Sequence, residues 1–330
     1  MENSAAVLET ICYSDLFDFP MTEREIWQYL IARKPMTKTE CRNALQQLVR
    51  HQISYNAPYY YLKGRKKIIA VRKRRKIVSL QKLTQVQSLT KWFSFIPTVR
   101  YVGISGSLAR LNAEESDDID LFVIAEAKTV WITRLMLLGL LQILGKRRKR
   151  GEAVAQDKIC LNFLLDTQHL AFSEKRHEVY TAYEIAQLRC LYDTANTYNK
   201  FLLANEWIKN ILPHFSYEQK FLKGRKNLFL PIFCFIYSQL EPIVRLFQLW
   251  IIRRHQTSEV VNAGIAAFHP HDYRSNILHR FTLLASEKKS VASESNSLWG
   301  IDKAKPIIYT RKDCTISPNI PLERFSFKNL

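Results

Sequence analysis

Asp118 and Asp120 stand one residue apart at the entrance to an apolar run, Leu121 to Ala125. In a strand, residues two apart share a face, separated by roughly 7 Å along the backbone. Ile119, Leu121 and Val123 then take the opposite face, toward a core. Two carboxylates on one face repel, by about 4 kcal/mol at ~4 Å and an effective dielectric of ~20. Either one acid keeps its proton at a raised pKa, or a divalent cation settles between them. Hard oxygen ligands suit Mg²⁺, which takes one or two carboxylates and leaves its other positions to water and substrate phosphates. Upstream, Gly106 and Ser107 form a tight turn whose backbone N–H groups and hydroxyl suit a phosphate. A cation site beside a phosphate cradle equips a chain for phosphoryl or nucleotidyl transfer.

These residues need a scaffold. An apolar strand, Val99 to Ile104, leads into the Gly106–Ser107 turn, a polar loop follows, and Asp118-Ile119-Asp120 opens the second strand. This arrangement resembles the polymerase-β-like nucleotidyltransferase family, whose signature is a strand, a Gly-Ser turn, a short helix or loop, and Asp-x-Asp entering a second strand. The resemblance implies that Gly106 and Ser107 hold an NTP and that Asp118 and Asp120 ligate Mg²⁺. A third strand is expected at Lys158 to Asp166. Family members usually carry a third carboxylate there, whereas this chain has Asn162 in mid-strand. Asn162 can ligate through its amide oxygen but cannot act as a general base. Three readings stay open: Asn162 orients a substrate hydroxyl, a bulge brings in Asp166, or the domain is slow or catalytically dead. Asp157 has the opposite parity to Asn162.

The N-terminal 62 residues predict three short helices and a hairpin. Val7, Leu8, Ile11 and Cys12 make an apolar stripe, Thr22–Glu25 and Thr37–Glu40 are capping boxes, and Asn56-Ala57-Pro58 turns an aromatic hairpin. The second helix is expected to run through Ile31. The pattern resembles winged helix-turn-helix domains, which implies a DNA-facing third helix bearing Lys38, Arg42 and Arg50. The next stretch, residues 63–76, holds nine basic side chains in fourteen. It reads as a solvated helical face or as a phosphate-binding strip. With a net charge of +19 and a pI of about 9.7, the chain favours polyanionic partners: nucleic acid, nucleotide phosphates or an anionic membrane surface.

Beyond the second strand, Thr129 to Leu144 predicts an apolar helix packed on the sheet. It ends in Lys146 to Arg150, whose charges complement the helix dipole. Helices are expected over Thr181–Leu191 and Tyr198–Leu212, and Leu228–Ile252 reads as a core or oligomer-interface helix. TAYEIAQLRCLYD, LLANEWIKNILP and the N-terminal YSDLFDFPMT resemble segments of a bacterial group of winged-helix nucleotidyltransferases, over roughly residues 5–280. Phe268-His269-Pro270-His271-Asp272 reads as a polar loop, structural or in contact with substrate. The six cysteines show no zinc spacing and no disulfide framework, and several lie in apolar stretches as small buried hydrophobes. With an N-terminus that shows no signal-peptide pattern, they fit a reducing cytoplasm.

The expected architecture is α+β: a winged-helix domain at 1–62, a basic helical connector at 63–97, and a catalytic domain with a small mixed sheet at 98–170. A helical domain at 171–285 and a mobile tail at 286–330 follow. The expected function is Mg²⁺-dependent transfer of an NMP from an NTP to an unidentified acceptor: an aminoglycoside, a protein hydroxyl, a tRNA end or a lipid-linked sugar. The main alternative is a DNA-binding regulator whose transferase domain senses nucleotide. A membrane-surface role for the Leu135 and Leu228 stretches is the least favoured, because each falls short of the ~20 apolar residues a bilayer crossing needs.

Overall fold

The computed structural model describes residues 2–149, 155–217, 230–253, 260–261, 264–267 and 273–297. The Phe268–Asp272 cluster, Arg150 and the tail beyond residue 297 lie outside the described residues. Met1–Lys289 form one compact unit and Ser290–Leu330 a second. The boundaries expected near residues 62, 97 and 170 therefore fall inside a single unit.

The chain is mixed α+β, with two small sheets among the described residues. At the N-terminus come α1 (Glu2–Asp15), β1 (Met21–Thr22), α2 (Glu23–Gln28), α3 (Lys38–Val49) and the hairpin β2 (Ile53–Asn56) and β3 (Tyr59–Leu62). The three strands pair antiparallel in the order β1-β3-β2. Both capping boxes form: Thr22 and Thr37 accept from the backbone of Glu25 and Glu40, whose carboxylates accept from the two threonines in return. The second helix stops at Gln28, short of Ile31.

Next come α4 (Ile68–Gln87), α5 (Thr90–Phe93), β4 (Val99–Ile104), α6 (Gly106–Ala109), β5 (Ile119–Ala125), α7 (Val130–Ile143), β6 (Ile159–Asp166), α8 (Val179–Ala186), β7 (Arg189–Asp193) and α9 (Thr197–Ala204). The chain then gives α10 (Leu230–Arg253), β8 (Val260–Val261), β9 (Ile265–Ala267) and α11 (Tyr273–Ser297). The larger sheet has the order β7-β4-β5-β6-β9-β8. Among the described strands its one parallel pair is β5 with β6; every other neighbour is antiparallel. A parallel pair needs a crossover, and α7 provides it.

Alternation along β5 sorts the core. Leu121, Val123 and Ala125 join one cluster with α5, α7 and Leu164. Phe122 and Ile124 join the other, with α1, α3, Tyr183, Phe201 and Phe281. The N-terminal helices thus share a core with the C-terminal helices on one face of the sheet. Polar contacts reinforce this: Ala32 N–H donates to Ile211 C=O at 3.0 Å, Met36 N–H to His214 Nε2 at 3.0 Å, and Tyr183 Oη to Tyr29 C=O at 2.6 Å.

Three expectations about elements are corrected. Thr181–Leu191 is not one helix: it breaks after Ala186, and Arg189–Asp193 pairs with the edge of β4. Tyr198–Leu212 is split into α9 and a 3-10 turn, Glu206–Asn210. Residues 286–297, read as tail, continue α11. The basic run is also more than a solvated face. Arg72 is buried and pairs with Glu25, Arg75 pairs with Glu114, and Arg65 pairs with Asp15 and Asp18. On the third helix, Arg42 pairs with Glu23 at 2.8 Å, and the Lys38 ammonium lies 5.1 Å from the centre of the Trp27 ring.

Helix α10 presents one stripe to α7 and another to solvent, where Phe235, Ile243, Leu246, Phe247 and Trp250 are exposed. Among the described residues no helix is long and apolar enough to cross a membrane. Its buried Glu241 accepts from Trp131 N–H at 2.7 Å and Ile132 N–H at 2.9 Å, in the first turn of α7. A carboxylate there satisfies donors that no helical carbonyl reaches and complements the helix dipole. Glu241→Ala is expected to lower stability by about 1–3 kcal/mol, the cost of leaving buried donors without an acceptor. Urea denaturation measures it.

Candidate active site

The turn after β4 is fixed from two sides. Gly106 has φ +66°, a left-handed conformation that favours glycine. A Cβ there would also lie 2.9 Å from Asp120 Oδ2. The turn therefore rests directly against the acid, and glycine is what permits the approach. Ser105 N–H donates to Asp120 C=O at 3.0 Å, locking the turn to the start of β5.

The loop from the turn to Asp118 is held by α4. Ser79 Oγ accepts from Ala113 N–H at 3.0 Å, and the buried Lys82 ammonium donates to Glu115 C=O, Asp117 C=O and Asp157 Oδ1 at 3.0, 2.8 and 2.8 Å. Within the loop, Asp117 Oδ2 accepts from Ser107 Oγ at 2.9 Å and Glu114 N–H at 3.0 Å. The Ser107 hydroxyl is thus engaged by Asp117.

Asp118 and Asp120 do converge, and a third group joins them: one ligand atom from each of Asp118, Asp120 and Cys160 lies within 4.8 Å of the others. Register explains the third. Asp120 pairs with Cys160 and Leu121 with Leu161, but Phe122 pairs with Phe163, so Asn162 is the extra residue of a bulge. The Asn162 amide donates to Asp120 Oδ1, and Cys160 Sγ donates to Asn162 Oδ1 at 3.3 Å. Asn162 therefore stands in hydrogen-bond contact with Asp120. Asp166 does not: it lies at the other end of β6, where Lys128 N–H, Gln168 N–H and His169 Nδ1 surround it. The bulge brings in Asn162 rather than Asp166. Asp157 is bound to Lys82.

A cation already faces the pair. After α7 the chain returns alongside β6, with Ile159 N–H donating to Lys146 C=O at 2.7 Å and Arg148 N–H to Ile159 C=O at 3.1 Å. This return carries the Arg148 guanidinium to Asp118 Oδ2. Among the described residues Asp120 has no basic partner in direct contact. Burial first, and the neighbouring Asp118 second, push its carboxyl well above the ordinary aspartate value, with Glu184 adding to the effect. Burial and the same two aspartates push the Cys160 thiol up to about 12.

The site can hold a metal ion through two carboxylates, with a thiol beside them. The oxygens suit a hard cation such as Mg²⁺ or Mn²⁺; the sulfur adds a softer donor. Sequence reasoning missed Cys160 and Arg148. Parity could have found the cysteine, since it stands two before Asn162 on the same strand. Nothing local marks Arg148, which depends on how the crossover returns. Arg148→Ala is expected to tighten Mn²⁺ binding, by up to about 5-fold, the equivalent of ~1 kcal/mol for an exposed pair. Titration calorimetry without nucleotide reads this directly.

Comparison with protein-family models finds no match, and comparisons with curated proteins and with solved structures find none either.

Proposed function

We propose that this chain is a divalent-cation-dependent nucleotidyltransferase, moving a nucleoside monophosphate from an NTP to an acceptor hydroxyl or similar nucleophile in the cytoplasm. The observation that carries this reading is the meeting of Asp118 and Asp120 at the start of β5, with the Gly106 turn packed against Asp120. The strand, Gly-Ser turn and Asp-x-Asp strand, with a parallel third strand beside them, support a polymerase-β-like arrangement. The helix and strand order of the first 62 residues, with its three-stranded sheet, supports a winged helix.

Asp118 and Asp120 would hold the cation, Mg²⁺ by the hardness of its oxygen ligands. When bound, the ion supplies charge neutralisation on the triphosphate and its leaving pyrophosphate. The chain does the positioning. The backbone of the Gly106–Ser107 turn faces the phosphates, while the Ser107 hydroxyl steadies the loop through Asp117. Asn162 orients Asp120 by donating to one of its oxygens, leaving the other toward the turn. Arg148, displaced from Asp118, is placed to meet a phosphate oxygen. Among the described residues no third carboxylate joins the cluster, so the acceptor must bring a nucleophile that is readily deprotonated or lose its proton to water or substrate.

The test is label transfer from α-³²P-NTPs, with Mg²⁺ or Mn²⁺, into fractions of cell extract. Asp118→Asn and Asp120→Asn should each lower it at least ~100-fold, beyond the loss typical of groups that only orient a ligand. Undiminished transfer in both variants would rule the reading out. The second reading is a DNA-binding regulator with a nucleotide-sensing domain. It is favoured by one observation, that Asn162 stands where a third acid would be. It requires salt-dependent DNA binding that survives both substitutions, without NTP turnover.

A further inference from the structure

A cleft of about 160 Å³ opens where α1, α2 and α4 meet the Ala109–Leu111 segment and the start of β7. Neither the cation cluster nor Asn162 lines it. Its walls are aromatic, with Tyr13, Phe17, Phe19, Tyr29 and Tyr183 among them. A volume of that size holds a flat ring system rather than a whole drug-sized molecule, and rings on several sides suit such a planar group.

Its charges do not cancel. Glu25 is matched by Arg72, which holds both its oxygens, at 2.6 and 3.0 Å. Arg110 is matched by Glu184 at 2.8 Å. Lys76 and Arg189 remain, with no carboxylate partner among the described residues. Both are exposed, whereas the Tyr13 and Tyr183 rings are buried. At depth, the Tyr13 hydroxyl is buried and without a hydrogen-bond partner, as is Gln187 Oε1. An unpaired buried hydroxyl is costly, and a ligand with polar ring atoms would satisfy it.

We propose that this cleft is a second ligand site, which takes a nucleoside monophosphate: the base among the aromatic side chains, the phosphate at Lys76 and Arg189. A lone base would leave the two cations unmatched, and a lone sugar phosphate would leave the rings and the Tyr13 hydroxyl unused. The site is placed to affect the turn. Arg189 Nε donates to Ala109 C=O, and Arg189 is paired across the sheet with Ile104, one residue before Ser105. A phosphate drawing on Arg189 therefore pulls on both flanks of the Gly106 turn.

Titration calorimetry on the full chain tests this, with EDTA present so that no cation bridges Asp118 and Asp120. AMP, GMP, CMP and UMP are titrated in turn, then the nucleoside and ribose 5-phosphate corresponding to the tightest. The expected result is one-to-one binding of at least one monophosphate, at least 10-fold tighter than its nucleoside or ribose 5-phosphate. Lys76→Glu, on an exposed helix face, and Arg189→Ala should each weaken it at least 10-fold, with Asp120→Asn unchanged. No binding by any of the four overturns the proposal. So does binding that Asp120→Asn abolishes and Lys76→Glu spares. Because the test needs no cation and no turnover, it can succeed or fail independently of the transferase reading.

Discussion

Asp120→Asn should raise the melting temperature at pH 7 while it removes the metal-dependent turnover proposed above. The reasoning is linkage. Burial and Asp118 raise the Asp120 pKa in the folded chain far above the 3.8 of an ordinary aspartate. Between that ordinary value and the raised one, the folded state binds more protons than the unfolded state, so stability falls as pH rises through the window. Below the ordinary value both states are protonated and nothing is lost. The groups facing Asp120 set the direction: Asp118, Glu184 and Asp117 raise its pKa, and Arg148 lowers it. Asparagine keeps the shape and can still accept from the Asn162 amide, but it never ionises. Its stability advantage over aspartate should therefore be near zero around pH 4 and grow toward pH 8, as read by thermal melts across that range. A variant less stable than wild type at every pH would show that the carboxylate is welcomed by its surroundings, contrary to the site described. Added Mn²⁺ should stabilise the wild type more than the variant, because binding favours the folded state only where the ligands are intact.

Arg72→Ala should be the most damaging change outside the site, by about 3–5 kcal/mol, the range for breaking a buried ion pair. Arg72 is 8% exposed. Its guanidinium grips both oxygens of Glu25, donates to Pro20 C=O, and lies 4.1 Å from the centre of the Phe19 ring and 4.6 Å from that of Tyr59. Removing it strands Glu25, which also completes the capping box of α2. Arg72→Lys should recover little, since an ammonium cannot make the paired contacts or stack as a planar group. Pairing Arg72→Met with Glu25→Gln should recover part of the loss by removing the unmatched charge. Urea titrations of the three variants separate these effects.

How much of this was legible beforehand depended on whether a signal was local. The two capping boxes form as spaced, because a cap is made by residues three apart. Asp118 and Asp120 share a face with each other, and Leu121 and Val123 take the opposite one, because strand alternation is also local. Arg189–Leu191 reads as the end of a helix, but it opens β7, because its strand state comes from the free edge of β4, which no window around it contains. The basic run hid a similar fact: Arg72 and Arg75 look like solvated charges until Glu25 and Glu114 are brought beside them. In the site, Cys160 was readable by parity, Arg148 was not, and the bulge that sets Asn162 against Asp120 depends on how β6 pairs with β5.

The central claim is that Asp118 and Asp120 exist to hold a cation against a triphosphate. Crystals grown with Mn²⁺ and a non-hydrolysable NTP test it through anomalous scattering. The account predicts a peak bridging the two carboxylates at close to the ~2.1 Å of a hard divalent cation, with triphosphate oxygens completing the coordination beside Gly106. Nucleotide bound elsewhere with no peak at the two aspartates, or a peak held only by other residues, would contradict it.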